Sequence, residues 1–413
     1  MMKFIMVSRE ADGCNILHTI MCEGNEVELY ITDKDDKENW NGILPKSDSL
    51  PLDKSAIYLF DSSGNGKMAE ELIHKGYYVV GSNSFADRLE FDRGFGIDLM
   101  HDIGMKIPET HTFKKFSEAY DFLKDKKERF VFKPSGKGIP CHLSYVPAEG
   151  EDILPYIKYV EKAYKDIDEV ELQEFIPGVA VSTEGWFNGY HFLRPFNHTL
   201  EKKKLSNDDL GPATGCAGNV VWICEEDEIT KQLINLEPHL KGYIGPIDIN
   251  MIVNESQYGL EFTPRMGYDS ICALLPLLNI EYSKFFSDLA RNQLESPIDF
   301  DESFSAALRV TIPPYPTDDV KFAKGLPIQV QDDINYFFYE VAMEDDSFVH
   351  CGSSGVVLCT LGMDSSLDKA MNEALDAANE LIIPNKNYRT DLSEVLLEDF
   401  EKFEGVTYAK GRS

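Results

Sequence analysis

The sequence predicts a multidomain protein that combines α/β and α+β architecture. Three observations predict it. The chain has 413 residues, more than one ordinary core absorbs, which points to about two to four domains. Strand and helix signals alternate over residues 1–90, the pattern of a small parallel sheet. Farther along, short turns join strand-like runs and favour antiparallel pairing, with helices between them.

Met1-Met2-Lys3-Phe4-Ile5-Met6-Val7 is too short for a signal peptide and reads as the first strand. Strands are expected at Val27–Ile31, Ala56–Phe60 and Tyr77–Val80, with helical stretches such as Met68–His74 between them. The polar, turn-rich segment Asp36–Pro51 reads as a loop. Residues 91–111 read as a helix ending at Gly104. Strand pairs are expected between Arg129–Lys133 and His142–Val146, and between Val170–Phe175 and Val181–Trp186. Residues 198–219 are polar and rich in lysine and glycine, and read as a long functional loop. A helix (Glu228–Leu240), two acidic strands and two helices (Ser270–Leu278 and Tyr282–Arg291) follow. Strands Ala306–Ile312, Phe337–Val341 and Val356–Leu361 and a final helix Asp368–Leu381 read as a small α+β unit. The expected division is 1–90, 91–300 with a small subdomain at about 112–185, and 301–413.

The chain is 43% hydrophobic and 27% charged, as a globular protein is. Its formal net charge of −31 argues against nonspecific binding to nucleic acid or anionic membrane, which need basic surfaces. Eight scattered cysteines show no C-x-x-C pair or zinc spacing and read as reduced thiols of a cytoplasmic protein. No apolar run is long enough to span a bilayer.

Two segments carry the chemistry. Lys133-Pro134-Ser135-Gly136-Lys137-Gly138 puts two lysines on a glycine turn after an apolar run. Backbone N–H groups of such a turn cradle phosphates and the lysines neutralise them. It is not a P-loop, because the Walker-type lysine loop is missing. The second segment pairs Asp248-Ile249-Asn250 with Glu261-Phe262-Thr263-Pro264-Arg265. Alternate strand residues share a face, so Asp248, Asn250, Glu261 and Thr263 offer hard oxygens suited to Mg²⁺. A third run, Gln173-Glu174-Phe175-Ile176-Pro177-Gly178, has the form of a strand turning into a hinge. Such a hinge offers an adenine backbone hydrogen bonds and an apolar sandwich.

Together these residues resemble the ATP-grasp superfamily, and within it phosphoribosylamine–glycine ligase, over roughly residues 75–385. Leu89–Thr110 resembles the helix that carries a first phosphate-binding cation, at Arg93. Phe130–Gly138 resembles the segment with the second lysine, Lys133, and its flexible loop. Gln173–Gly178 resembles the adenine hinge. Gly211-Pro212-Ala213-Thr214-Gly215-Cys216-Ala217-Gly218 resembles the ligase's G-P-N-T-G-G-M-G loop, with Lys203 near its preceding lysine. Leu260–Gly267 resembles L-E-F-N-x-R-F-G. The resemblance implies an ATP-grasp fold with an N-terminal Rossmann-like domain and a small C-terminal domain. It implies ATP with Mg²⁺ or Mn²⁺ as cofactors and a monomer or homodimer acting on a small-molecule carboxylate and amine. Arg93, Lys133, Lys137 and Gln173 through Ile176 would bind ATP. Asp248, Glu261 and Thr263 would bind metal. Gly211, Pro212, Thr214, Gly215 and Gly218 would bind substrate, and Lys203 and Arg265 would be catalytic.

The sequence also departs from the family. Thr263 replaces the metal-binding asparagine, Ala180 stands where an acid often holds the ribose, and the flexible loop is short. The N-terminal G-x-G-G-R-E-H becomes Val7-Ser8-Arg9-Glu10-Ala11-Asp12-Gly13, and G-P-E-x-P-L becomes Asp61-Ser62-Ser63-Gly64-Asn65-Gly66-Lys67. Three functions follow as alternatives: the purine-pathway ligase, a carboxylate–amine ligase with another acceptor, and a non-catalytic nucleotide-binding protein.

Overall fold

The computed structural model describes residues 1–410 apart from 136–142, 165–166, 241, 267, 318–322 and 332–333. Strands β1 (Lys3–Ser8), β2 (Glu26–Ile31), β3 (Ile57–Phe60) and β4 (Tyr78–Val80) form a parallel sheet in the order β2-β1-β3-β4. The central strands β1 and β3 are buried on both faces, as parallel strands are. Phe4, Met6 and Leu59 join the main core with Leu17 and Ile20 of α1 (Cys14–Cys22). Ile5, Val7, Tyr58 and Phe60 face the other way, onto Ala69 and Leu72 of α2 (Gly66–His74). The four strands expected here are all present.

The helix expected from residue 91 to Gly104 is α4 (Arg93–Asp102), which follows α3 (Ser84–Phe91). Asp92 divides them: its carboxylate accepts the N–H of Phe95 at 3.1 Å and caps the second helix. That cap starts a new helix at Arg93.

The small subdomain holds β5 (Thr110–Phe113), β6 (Phe130–Ser135) and β7 (Glu169–Glu174), ordered β5-β7-β6, with α5 (Phe116–Leu123) and α6 (Leu154–Ala163). The expected pairing of Val170–Phe175 with Val181–Trp186 is corrected. β7 pairs with β5 and β6, whereas β8 (Val179–Phe187) belongs to the next sheet. The Pro177–Gly178 turn sends the chain across. Gly178 lies so close to Val253 that a Cβ would stand 2.6 Å from its carbonyl oxygen. The other expected pair survives as a bridge between Phe132 and Tyr145, and His142 lies outside the described residues.

An eight-stranded sheet forms the body. It contains β8, β9 (Phe192–Ser206), β10 (Leu210–Cys224), β11 (Gly245–Val253), β12 (Gln257–Thr263) and β13 (Phe304–Thr311). After β14 (Pro327–Ile328) come β15 (Tyr336–Phe338), β16 (Val341–Glu344), β17 (Ser347–His350) and β18 (Val356–Asp364). β15 and β18 extend the large sheet; β14, β16 and β17 form a three-stranded one. The remaining helices are α7 (Lys231–Leu236), α8 (Tyr268–Leu274), α9 (Tyr282–Ala290), α10 (Leu367–Glu380) and α11 (Leu392–Lys410). Among the described residues no helix is long and apolar enough to cross a membrane.

The long loop expected at 198–219 is instead the β9–β10 ribbon, and this is the largest correction. Its lysines find acids rather than bulk water: Lys202 pairs with Asp399 at 2.6 Å and Lys203 with Glu201 at 3.0 Å. Antiparallel pairing runs from Phe196 to Ser206. The turn at Asn207–Asp209 puts Asp208 and Asp209 at φ 59° and 52°, a left-handed conformation that aspartate tolerates. Cross-strand pairing overrides the polar composition here.

Candidate active site

A cleft of about 510 Å³ lies between the small subdomain and the large sheet. Its size suits a nucleotide-sized ligand. The small-subdomain wall carries Lys133 on β6 and Gln173, Glu174, Phe175 and Ile176 at the end of β7, with Arg93 from α4 beside them. The Lys133 ammonium donates to Gln173 Oε1 at 2.8 Å, and Gln173 Nε2 donates to Thr110 Oγ1 at 3.1 Å. Arg93 pairs with Glu171 at 2.8 Å. Burial first, and the Arg93 charge second, bring the Lys133 ammonium down to about 8. At the hinge, the N–H groups of Glu174 and Phe175 already donate to Glu109 and Arg129 carbonyls, both at 2.8 Å. The Arg129 guanidinium lies 3.6 Å over the Phe175 ring.

The sheet wall carries the acids. Asp248 and Asn250 on β11 face Thr263 and Glu261 on β12 across an antiparallel register. Ser182 Oγ donates to Asn250 Oδ1 at 2.9 Å, and Asn250 Nδ2 reaches Thr263 Oγ1 at 3.3 Å. Asp248 Oδ1 is buried and has no hydrogen-bond partner among the described residues. Burial, then Glu201, pushes the Asp248 carboxyl up to about 8. Glu261 behaves oppositely: the Lys203 ammonium, 3.6 Å away, holds it below its usual range against burial, with help from Lys133 and Arg93. Two acids on adjacent strands therefore differ because only one has a cation beside it. Glu184, opposite Asp248 in the ladder, is pushed well above its range by burial and then by Asp248.

The β9–β10 ribbon adds a third side. Two register shifts between Leu210 and Gly218 make the strand bulge and turn Ala213, Thr214, Gly215 and Cys216 into the cleft. Thr214 Oγ1 is held on the Lys203 carbonyl at 2.8 Å. Gly211 and Pro212 stand outside the cleft toward the ribbon tip. Gly218 is packed in the sheet, where a Cβ would meet Leu392 at 2.4 Å. The bulge projects only the residues between them. Lys137 lies outside the described residues.

Arg265 reaches the cleft from the end of β12 and binds Glu90 through Nε at 2.9 and 3.2 Å, while Ser63 Oγ donates to the same carboxylate at 2.6 Å. Sequence reasoning missed Glu201, which shares a strand face with Lys203, because the segment was read as a loop. It also missed Arg309, which holds Asp269 with two bonds of 2.7 and 2.8 Å under the cleft floor. The signal was present: Arg309 is a lone charge in an apolar strand.

No family model matches the chain. It is 26% identical over 339 residues to a phosphoribosylamine–glycine ligase of Fusobacterium nucleatum, covering 76% of this chain and 77% of that one. The crystal structure of phosphoribosylamine–glycine ligase from Thermotoga maritima superposes with a TM-score of 0.71 at 19% identity, covering 94% of this chain and 99% of that one. The biotin carboxylase domain of 2-oxoglutarate carboxylase from Hydrogenobacter thermophilus, solved with MgADP and bicarbonate, superposes with a TM-score of 0.65 at 11% identity, covering 98% and 95%. These agree with the resemblance read from 130–138, 211–218 and 260–267. The chain has the ATP-grasp fold, and the curated sequences it is similar to are phosphoribosylamine–glycine ligases.

Proposed function

We propose that this protein is an ATP-dependent ligase that joins a carboxylate to an amine through an acyl phosphate. One observation carries the reading: a single cleft sets Arg93, Lys133, Lys203 and Arg265 against Asp248 and Glu261. That is the charge arrangement a polyphosphate with its metal requires. Asp248 also fits a metal, since among the described residues its buried Oδ1 lacks a protein donor. Asp248, Glu261 and Thr263 would hold Mg²⁺ or Mn²⁺, which neutralises phosphate charge when bound.

Arg93 and Lys133 are assigned to the α and β phosphates, and the Gln173–Ile176 hinge to adenine. With two hinge N–H groups already spent, Ile176 and the strand carbonyls are left for the base. Lys203 and Arg265 are assigned to the transferring phosphoryl group, and the Thr214–Gly215 bulge to the carboxylate substrate. A substrate carboxylate oxygen attacks the γ-phosphorus, the bond to the bridging oxygen breaks, and ADP leaves. The amine nitrogen then attacks the acyl carbon, the carbon–oxygen bond to phosphate breaks, and the amine gives up a proton. The protein contributes position and charge and forms no covalent bond to substrate.

The names of the curated relatives favour glycine and phosphoribosylamine as the substrate pair. The replaced turns at 8–13 and 61–67 favour a second reading with a different amine. Scattered free cysteines support a cytoplasmic setting. The test is ADP release with MgATP and amino-acid carboxylates when an amine is added, phosphoribosylamine being one of the amines tried, against the same mixture without the amine. Glu261→Gln is expected to lower ADP release about 100-fold or more; full turnover in that variant would remove Glu261 from the metal site.

A further inference from the structure

At the carboxyl edge of a parallel sheet, strand-to-helix turns present N–H groups where phosphates bind. The N-terminal sheet has two such turns, and Ser63 of the second shares Glu90 with Arg265 of the cleft. In the β1–α1 turn, Gly13 N–H donates to Asp61 Oδ2 at 2.7 Å and Ser8 Oγ donates to the same oxygen at 2.6 Å. Arg9 N–H donates to Ser62 Oγ at 3.0 Å, and Ala11 N–H to Ser8 Oγ at 2.8 Å. In the β3–α2 turn, Gly64 and Gly66 N–H each donate to the Asp87 carboxylate at 2.8 Å, and Ser82 Oγ joins them at 3.0 Å. The fit is close: a Cβ on Gly13 would stand 2.6 Å from Asp61 Cβ. Each turn has thus bound a carboxylate of its own chain. Two nearby arginines are engaged as well, Arg9 with Glu10 at 3.0 Å and Arg265 with Glu90 at 2.9 Å.

We propose that the amine acceptor of this ligase carries no phosphate group, because Asp61 and Asp87 occupy the turns that would hold one. The inference rests on the ligase reading above and narrows its substrate class to unphosphorylated amines. The remaining side chains at the first turn, Glu10 and Asp12, are acids. Burial, and then Asp61, pushes the Asp12 carboxyl well above its usual range, as expected where acids crowd one turn.

The test has separable arms. Hydroxylamine, a small unphosphorylated nucleophile, is first supplied with MgATP and pooled amino acids. ADP release there supports acyl-phosphate chemistry without the natural acceptor. Its absence defeats the ligase reading and takes the proposal with it. Phosphoribosylamine made in place from ammonia and ribose 5-phosphate is then added with glycine. No release above the ammonia control is expected, and clear release overturns the proposal while leaving the ligase reading intact. Calorimetric titration of ribose 5-phosphate and O-phosphoethanolamine into the MgADP-bound protein is expected to show no binding. A Kd tighter than about 1 mM for either overturns the proposal. Asp61→Ser, which empties the first turn, is expected to gain affinity for ribose 5-phosphate. Should that variant fail to fold, the wild-type arms still decide.

Discussion

Lys133 donates to Gln173 at 2.8 Å, and burial together with Arg93 brings its ammonium down to about 8 from an ordinary 10.5. The sign for ligand binding follows. A phosphate placed beside Lys133 favours its charged form and raises its pKa. Nucleotide binding at about pH 9 should therefore take up a proton, and affinity should fall as pH rises through about 8. Calorimetry of MgADP binding in two buffers of different ionisation enthalpy checks this; the uptake should vanish in Lys133→Met. Asp248 shows the opposite cost. Its buried oxygen, partnerless among the described residues, destabilises the protein in the absence of a cation, so Asp248→Asn should stabilise the metal-free protein by about 1 kcal/mol. The same change should abolish stabilisation by MgADP. Thermal denaturation with and without MgADP measures both; loss of stability in the metal-free variant would refute the account.

Among the elements, the four parallel strands and the acidic pair β11–β12 were legible because apolar runs and alternating acids advertise themselves in sequence. The β9–β10 ribbon was not, because charged residues from 201 to 204 imitate a loop until their partners are known. Glu201 went unseen for the same reason, as did the true partner of β7, since Pro177-Gly178 marks a turn without saying which sheet follows it. Among the residues that line the cleft, those on regular strands, such as Lys133 and Glu261, were readable from spacing. The ion pairs Arg93–Glu171, Arg265–Glu90 and Arg309–Asp269 join residues 40 to 175 positions apart, and no local pattern encodes them. The ribbon tip depends on one of these remote partners. Arg389, whose side chain is wholly buried, binds Asp209 and Asp391 at 2.7 Å each and the Lys204 carbonyl at 3.1 Å. Arg389→Met removes one side of this network and should cost about 3 kcal/mol. Urea denaturation measures the loss, and a change under about 1 kcal/mol would show the network to be dispensable.

For the whole molecule, the net charge of −31 sets a background of self-repulsion that every carboxylate in the cleft must share. Salt screens it over about 10 Å at 0.1 M. Melting temperature should therefore rise between low salt and about 0.5 M NaCl, because repulsion among the excess acids outweighs the exposed ion pairs that salt also weakens. A flat or falling curve would mean that the local pairs dominate. Screening should act in the other direction on the cleft and weaken MgADP binding there.

The pinned ribbon has one more consequence. Residues 389–391 touch no part of the cleft, yet they fasten the far end of the strand pair whose bulge forms one wall of it. The tail after residue 386 is in this sense a guy-rope for the active site. A chain shortened there to suit expression or crystallisation would keep every residue that lines the cleft and still lose the anchor of the ribbon that walls it. Its weak turnover would look like a defect in chemistry when the fault was in the anchorage.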